Sequence, residues 1–459
     1  MTRRSLLGRL ARQLPPGELV FTPEALAAHA GDKWFASHLP EAVALPASVE
    51  SVSRILAFAS KHQIPVTPRG AGHGYVGGCV PVQGGIALSV AGMNRVLEIS
   101  AADFVAVVQP GVVTAALQEA VERQGLYYPP DPASRGSCFL GGNLAECAGG
   151  PKAVKYGVTK DYVLNCEVVL PTGEIIWTGA NVLKNSTGYN LTQLLVGSEG
   201  TLAVFTEITV ALAPRPEASK YGVAYFEDLA AAAGAVEKII TAGILPATLE
   251  FLDNTCLVAV EDFAHLGLDT KAGALLLFGD DGDLVTIEQS VSKMAEIAKS
   301  SSGCRGVTLA ADVAAAEALL YARRCSLPAL ARLSSLSILE DIAVPRKSMA
   351  EAVTRIEAIG VKHGLRIGTF GHAGDGNLHP TIVLDKDNPK EVAAAEAALA
   401  EIFALPLEFG GTITGEHGVG SAKLPYLEAK IGPANMQLQR NIKKVFDPAG
   451  ILNPGRIGS

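Results

Sequence analysis

Thiol ligands, basic charge and long apolar runs are all in short supply. Seven cysteines (Cys79, Cys138, Cys147, Cys166, Cys256, Cys304 and Cys325) are scattered over 459 residues with no C-x-x-C pair. The odd number and wide spacing argue against a thiolate zinc site or a disulfide framework, and point to a reducing compartment. Lys and Arg total 38 against 46 Asp and Glu, for a net charge of −8. So acidic a chain lacks the basic face that nucleic acid needs, and nucleic acid is not an expected partner. No apolar stretch reaches the ~20 residues that span a bilayer. Arg3, Arg4, Arg9 and Arg12 precede Pro15-Pro16-Gly17 with no apolar h-region behind them. That segment reads as a short basic amphipathic helix, either solvated or meeting a membrane or partner, and not as a secretory signal. Internal repeats and low-complexity linkers are also lacking.

What is present is apolar and glycine-rich. Apolar residues make up 48% and charged residues 18%, the composition of a packed enzyme. The length calls for two or three domains. Ser48 precedes apolar positions 49, 52, 55, 56 and 59, which predicts a capped helix with one buried face. Ile64 to Pro68 and Phe104 to Gln109 read as strands, and Thr114 to Arg123 as a second helix. Glu167 to Leu170 and Ile175 to Trp177 flank Pro171-Thr172-Gly173-Glu174 as a β-hairpin. Gly200 to Leu212 is strand-rich, and Pro214-Arg215-Pro216 marks a domain exit. Beyond it, Ala-rich helical stretches (Leu229 to Ala242, Ala310 to Arg324) alternate with strand-like runs such as Ala274 to Phe278. Both parts are α+β.

Two sets of motifs carry chemistry. Arg69-Gly70-Ala71-Gly72-His73-Gly74 sits in a glycine-rich loop after a strand, where backbone N–H groups can cradle a pyrophosphate. No long apolar helix follows it and no acidic residue ends a later strand, so a Rossmann unit is disfavoured. On spacing alone, a ligand loop and a plain turn are equally open. Late in the chain, His372-Ala-Gly-Asp375-Gly-Asn-Leu-His379 precedes Gly415-Glu416-His417-Gly418. Imidazole and carboxylate together suit Zn²⁺ or Mn²⁺, and three ligands leave a position open for substrate. Hydrogen-bonded loop histidines are the alternative.

Further motifs join these: Tyr128-Pro-Pro130-Asp-Pro-Ala-Ser134, Gly141-Gly142-Asn143, Ala148-Gly149-Gly150-Pro151, Lys155-Tyr156-Gly157 and Gly197-Ser-Glu199-Gly200-Thr-Leu. In this order, from about Pro46 to Ile457, the chain resembles the vanillyl-alcohol oxidase and p-cresol methylhydroxylase superfamily. The resemblance is closest to its FAD-linked 2-hydroxy-acid dehydrogenases of the glycolate oxidase and D-lactate dehydrogenase type.

The resemblance implies a two-part FAD-binding domain (1–214, with a returning segment 411–459) and an α+β cap with an antiparallel sheet (215–410). Arg69 to Gly74 would wrap the pyrophosphate. Pro130, Ser134, Gly141, Gly142 and Asn143 would face the flavin side, and Glu199, Gly200 and Val204 the adenine half, with Asn453 also in contact. His372, His379 and Glu416 would hold the metal, His417 would be the general base, and Arg324 would clamp the substrate carboxylate. Lys423 is a weaker candidate, read as a surface residue, and Tyr321 stands where relatives usually have Trp.

His73 departs from close relatives, which usually carry Thr, and resembles the histidine that berberine-bridge-type oxidases attach to the flavin 8α-methyl. Covalent attachment and a plain loop histidine are both left open. The implied activity is oxidation of D-lactate or glycolate, with electrons leaving to a quinone, cytochrome, electron-transfer flavoprotein or iron–sulfur subunit. A cytoplasmic protein is expected, with a peripheral site at the inner membrane face and a homodimer as open options. The competing readings are a covalent-flavin oxidase of sugars or alcohols, a metal-dependent hydrolase and an assembly subunit without chemistry of its own.

Overall fold

The structure, a computed structural model, describes residues 2–459. The chain divides into two compact units. The first runs to Gly149 and then takes in Val158–Arg215 and Glu416–Ser459; the second is Gly150–Gly157 with Pro216–Gly415. The exit at Pro214 to Pro216 thus coincides with a change of unit. The short excursion at 150–157 has no counterpart in the sequence-based division.

The first unit holds two main sheets and a two-stranded pair of Leu126–Tyr127 with Ala213–Pro214. In the four-stranded sheet, Val66–Arg69 and Ala42–Ala44 both pair parallel with Ile86–Ser89. The Val49–His62 helix covers this sheet, and Ser48 caps it by accepting from the Ser51 N–H at 3.3 Å. Its Val52, Ile55, Leu56 and Ala59 enter the core, as their spacing predicts. The Arg3–Ala11 helix is not solvated on every face. Leu7 and Leu10 are buried in this same core, and Arg3 pairs with Glu41 at 2.9 Å. The second sheet is antiparallel, in the order Val96–Ser100, Val105–Val108, Val204–Ala211, Val163–Val169, Ile175–Trp177. The predicted hairpin forms its last two strands.

The second unit is built on one eight-stranded antiparallel sheet. Its centre runs Ala218–Phe226, Ala274–Gly282, Thr248–Asp253, Arg366–His372, Asn377–Leu384. Segment 150–157 is fastened within this unit: Lys155 Nζ lies 2.7 Å from Asp280 and 3.0 Å from Asp281, and the Tyr156 hydroxyl donates to Asp281. Both aspartates are buried, so the lysine cation offsets charge that would otherwise stand uncompensated. All seven cysteines are free. Among the described residues no helix is long and apolar enough to cross a membrane.

Candidate functional site

In the first unit, Arg69 ends a core strand, and its guanidinium donates to the carbonyl of Gly31 at 2.6 Å, so the loop after it starts from a fixed point. A Cβ on Gly70 would lie 3.2 Å from Gly142 Cα, and one on Gly141 would meet Pro110 at 2.7 Å. These two glycine-rich stretches therefore approach backbone to backbone, which only glycine permits. Gly72, with φ +75°, turns the loop over the Arg69 side chain. Asn143 is buried and donates to Thr114 Oγ1 at 2.7 Å. Gln118 donates to the carbonyl of Pro130 at 3.0 Å, and Ser134 accepts from two backbone N–H groups at 2.8 Å. His73 is half-buried, and burial, followed by Lys33 and Arg69, lowers its pKa and favours the neutral ring.

Glu199, expected at the adenine half, is held from within its own unit. It sits at φ 52°, and its two carboxylate oxygens accept the N–H groups of Val419 at 2.6 Å and Gly420 at 2.7 Å. Its carbonyl accepts from Asn453, whose amide also reaches the carbonyl of Gly78 at 2.9 Å. Glu199 is thus a clamp that sets the backbone just after His417, and Asn453 ties the Glu199 backbone to Gly78. Lys423 is also corrected: it is 1% exposed, and its cation is among the charges acting on Glu199. The His417 ring packs on Tyr75, with centroids 5.3 Å apart.

Sequence reasoning passed over Glu146, Asp32 and Arg456. Glu146 lies beside Gly78 and Gly418, and desolvation, then the charges of Glu199 and Asp32, push its carboxyl well above the usual range. One oxygen each of Glu146 and Asp32, Arg456 Nε and Asn453 Oδ1 are buried with no protein partner. Orphaned polar atoms of this kind are rare in a finished interior. Together with the backbone cradle at 70 and 142, they fit a large polar cofactor with phosphate and amide groups.

In the second unit, strand register brings the histidine motif together. Glu250 lies opposite His372, and Phe370 opposite His379. Side chains alternate along a strand, so Glu250, Phe370, His372 and His379 share one face. The turn between the histidines closes at Gly376, φ 85°, with Asp375 accepting from the Asn377 N–H. His372 and His379 stand edge to face, with centroids 5.2 Å apart. His372 Nδ1 lies 2.7 Å from Glu250 Oε1, and His379 Nδ1 lies 3.3 Å from the carbonyl of Glu340. Both partners accept, so each Nδ1 carries the proton and each Nε2 keeps its lone pair. That is the tautomer a metal needs. Buried Asp341 accepts from Asn377, from Thr414 Oγ1 at 2.6 Å and from the Gly415 N–H at 2.9 Å. It thereby fixes the residue from which the chain continues to Glu416 and His417.

The Val313–Arg324 helix does not present its two arginines alike. Arg324 is 40% exposed, with Glu317 3.9 Å away, whereas Arg323 turns inward and bonds Glu250 at 2.6 Å. Arg323, and not Arg324, is thus the arginine joined to the Glu250–His372 pair. The missed residues in this unit are Glu250, Asp341 and Arg323. The available signal was a carboxylate inside the apolar run Leu249-Glu250-Phe251-Leu252.

A glycine backbone cradle in one unit and an eight-stranded antiparallel sheet in the other fit an FAD-linked oxidoreductase. The chain belongs to the FAD-linked oxidases: residues 40–179 match the FAD binding domain, and 215–457 the FAD linked oxidases, C-terminal domain. It is 48% identical over 419 residues to glycolate oxidase subunit GlcD of Bacillus subtilis, covering 91% of this chain and 89% of that one. It is 37% identical over 426 residues to a D-lactate dehydrogenase of Anaerostipes hadrus, with 91% and 89% covered. The fold superposes on p-cresol methylhydroxylase with a TM-score of 0.80 at 17% identity, covering 99% of this chain and 96% of that one.

Proposed function

We propose that this enzyme oxidises a small D-2-hydroxy acid, D-lactate or glycolate, to the 2-oxo acid. The observation that carries the reading is the His372–His379 pair on one sheet face, with each Nδ1 hydrogen-bonded. Relatives named glycolate oxidase subunit and D-lactate dehydrogenase support the substrate class.

FAD, when bound, supplies the acceptor for the hydride that leaves the substrate α-carbon. His372, His379 and Glu416 would hold a divalent Zn or Mn ion, whose charge would lower the pKa of a substrate hydroxyl beside it. His417 takes the hydroxyl proton on a ring nitrogen, since an imidazole titrates near neutral pH. Tyr75 packs on this ring and limits its rotation. Arg324 engages the substrate carboxylate; its exposed side chain is free to swing, and a guanidinium matches both oxygens. Arg69 to Gly74 with Gly141 and Gly142 form the cofactor cradle. His73 lies in it as a neutral, non-covalent neighbour, so acid precipitation should leave the flavin in the supernatant; a yellow pellet would assign a covalent bond instead. Electrons then pass to a separate acceptor: a quinone, a cytochrome, an electron-transfer flavoprotein or an iron–sulfur subunit.

The test is dye reduction over a panel of 2-hydroxy acids with native and EDTA-treated protein. Activity on D-lactate or glycolate that falls on chelation and returns with Zn²⁺ or Mn²⁺ is expected. Full activity after complete metal removal overturns the metal-assisted reading.

A further inference from the structure

The histidine pair is enclosed by side chains with no assigned role. Glu250 lies in the Thr248–Asp253 strand, is 1% exposed, and uses its two oxygens for different partners. Oε1 meets His372 Nδ1 at 2.7 Å, and Oε2 accepts from Arg323 Nε at 2.6 Å. The Arg323 guanidinium lies over the Phe370 ring at 4.7 Å, and that ring is 5.4 Å from His379. His379 closes the circuit against His372. All five side chains belong to the second unit, and four sit on one sheet face because the register puts Glu250 opposite His372 and Phe370 opposite His379.

We infer that Glu250 is a positioning residue that fixes the tautomer and ring plane of His372, and that Arg323 holds Glu250 in place for that task. The inference rests on the metal site proposed above. A buried carboxylate with no structural duty would be costly. This one is committed to a histidine on one side and a cation on the other. A carboxylate on Nδ1–H aims the Nε2 lone pair and makes the ring a stronger ligand. Arg323 and Phe370 restrain the carboxylate and the second histidine together, so both rings keep their orientation before any ion arrives. Arg323, though adjacent to Arg324, thus serves the histidines and not the substrate.

The experiment uses flavin-loaded full-length protein stripped of metal and titrated with Zn²⁺, and separately with Co²⁺ as a spectroscopic probe. Wild type, Glu250→Gln, Glu250→Ala and the double variant Glu250→Gln/Arg323→Met are compared. Loss of a partner of this kind weakens metal binding by about 10–100-fold. Glu250→Ala should show that loss, and Glu250→Gln, which still offers an oxygen to Nδ1, a smaller one. The visible Co²⁺ bands should shift in both, with flavin content unchanged. The double variant removes the stranded Arg323 cation and answers the same question if Glu250→Ala does not fold. Affinity and Co²⁺ spectra equal to wild type in the variants overturn the inference. A wild-type protein that takes up neither ion overturns the metal reading beneath it instead.

Discussion

Two buried glutamates, one in each unit, are put to opposite uses. Glu199 gives both oxygens to backbone N–H groups, of Val419 and Gly420. Glu250 gives both to side chains, of His372 and Arg323. The first fixes where a loop runs, the second how a ring is turned. The cofactor unit relies on backbone shape because a dinucleotide is recognised through many N–H donors. The second unit relies on side-chain orientation, which the proposed ion would need, since an ion is recognised through a few lone pairs. Burial favours protonation in the first case: it holds Glu199 above the usual carboxylate range, against the two N–H bonds and the Arg456 and Lys423 cations.

The largest effect expected from disturbing this division is at the residue that follows both devices. His417→Ala should lower kcat by about 10²–10⁴-fold with flavin still bound, since it removes only the proposed proton acceptor; steady-state dye reduction reads it. An undiminished kcat would remove His417 from the chemistry.

Next comes a pH effect in the second unit. Burial raises the Asp253 carboxyl to about 6 from an ordinary 3.8. A raised folded value means that its contribution to stability is fully present below pH 3.8 and is lost as pH rises through 6. A gap of about two units corresponds to roughly 3 kcal/mol. Asp253→Asn should shrink the difference between thermal midpoints at pH 4.5 and pH 7.5, and an unchanged difference would contradict that direction.

Glu199→Gln should cost about 1–3 kcal/mol, because an amide can satisfy only one of the two buried N–H groups. Thermal unfolding of the flavin-loaded protein measures it, and metal affinity should stay as in wild type. That separation is the sharpest check on the contrast with Glu250. The smallest effect is at the cradle. Gly70→Ala puts a methyl 3.2 Å from Gly142 Cα and should weaken flavin binding by about tenfold, or roughly 1.4 kcal/mol, read by fluorescence titration of apoprotein.

What the sequence made legible was local. Ser48 and its apolar spacing specify a helix, and the structure has it with that cap. The glycine-rich loop and the histidine motif could be read because each is compressed into a dozen residues. Glu250 could not be read, because its partner His372 lies 122 positions away and only strand register joins them. Arg323 and Arg324 are neighbours in sequence, and only the packing of their helix decides which turns inward. Lys423 looked like a surface residue because charge alone predicts exposure, and a lysine buried among buried carboxylates breaks that rule. The amino-terminal segment forms the helix its sequence suggests, and its apolar side, Leu7 and Leu10, is taken up by the core of its own unit.

The eight-residue excursion at 150–157 has a practical consequence for dissection of the molecule. A fragment cut as one continuous piece from Pro216 to Gly415 would contain Asp280 and Asp281 but neither Lys155 nor Tyr156. Two acids would then face each other in the interior without their counter-ion. Such a fragment should express poorly unless the missing octapeptide is grafted back or both aspartates are neutralised.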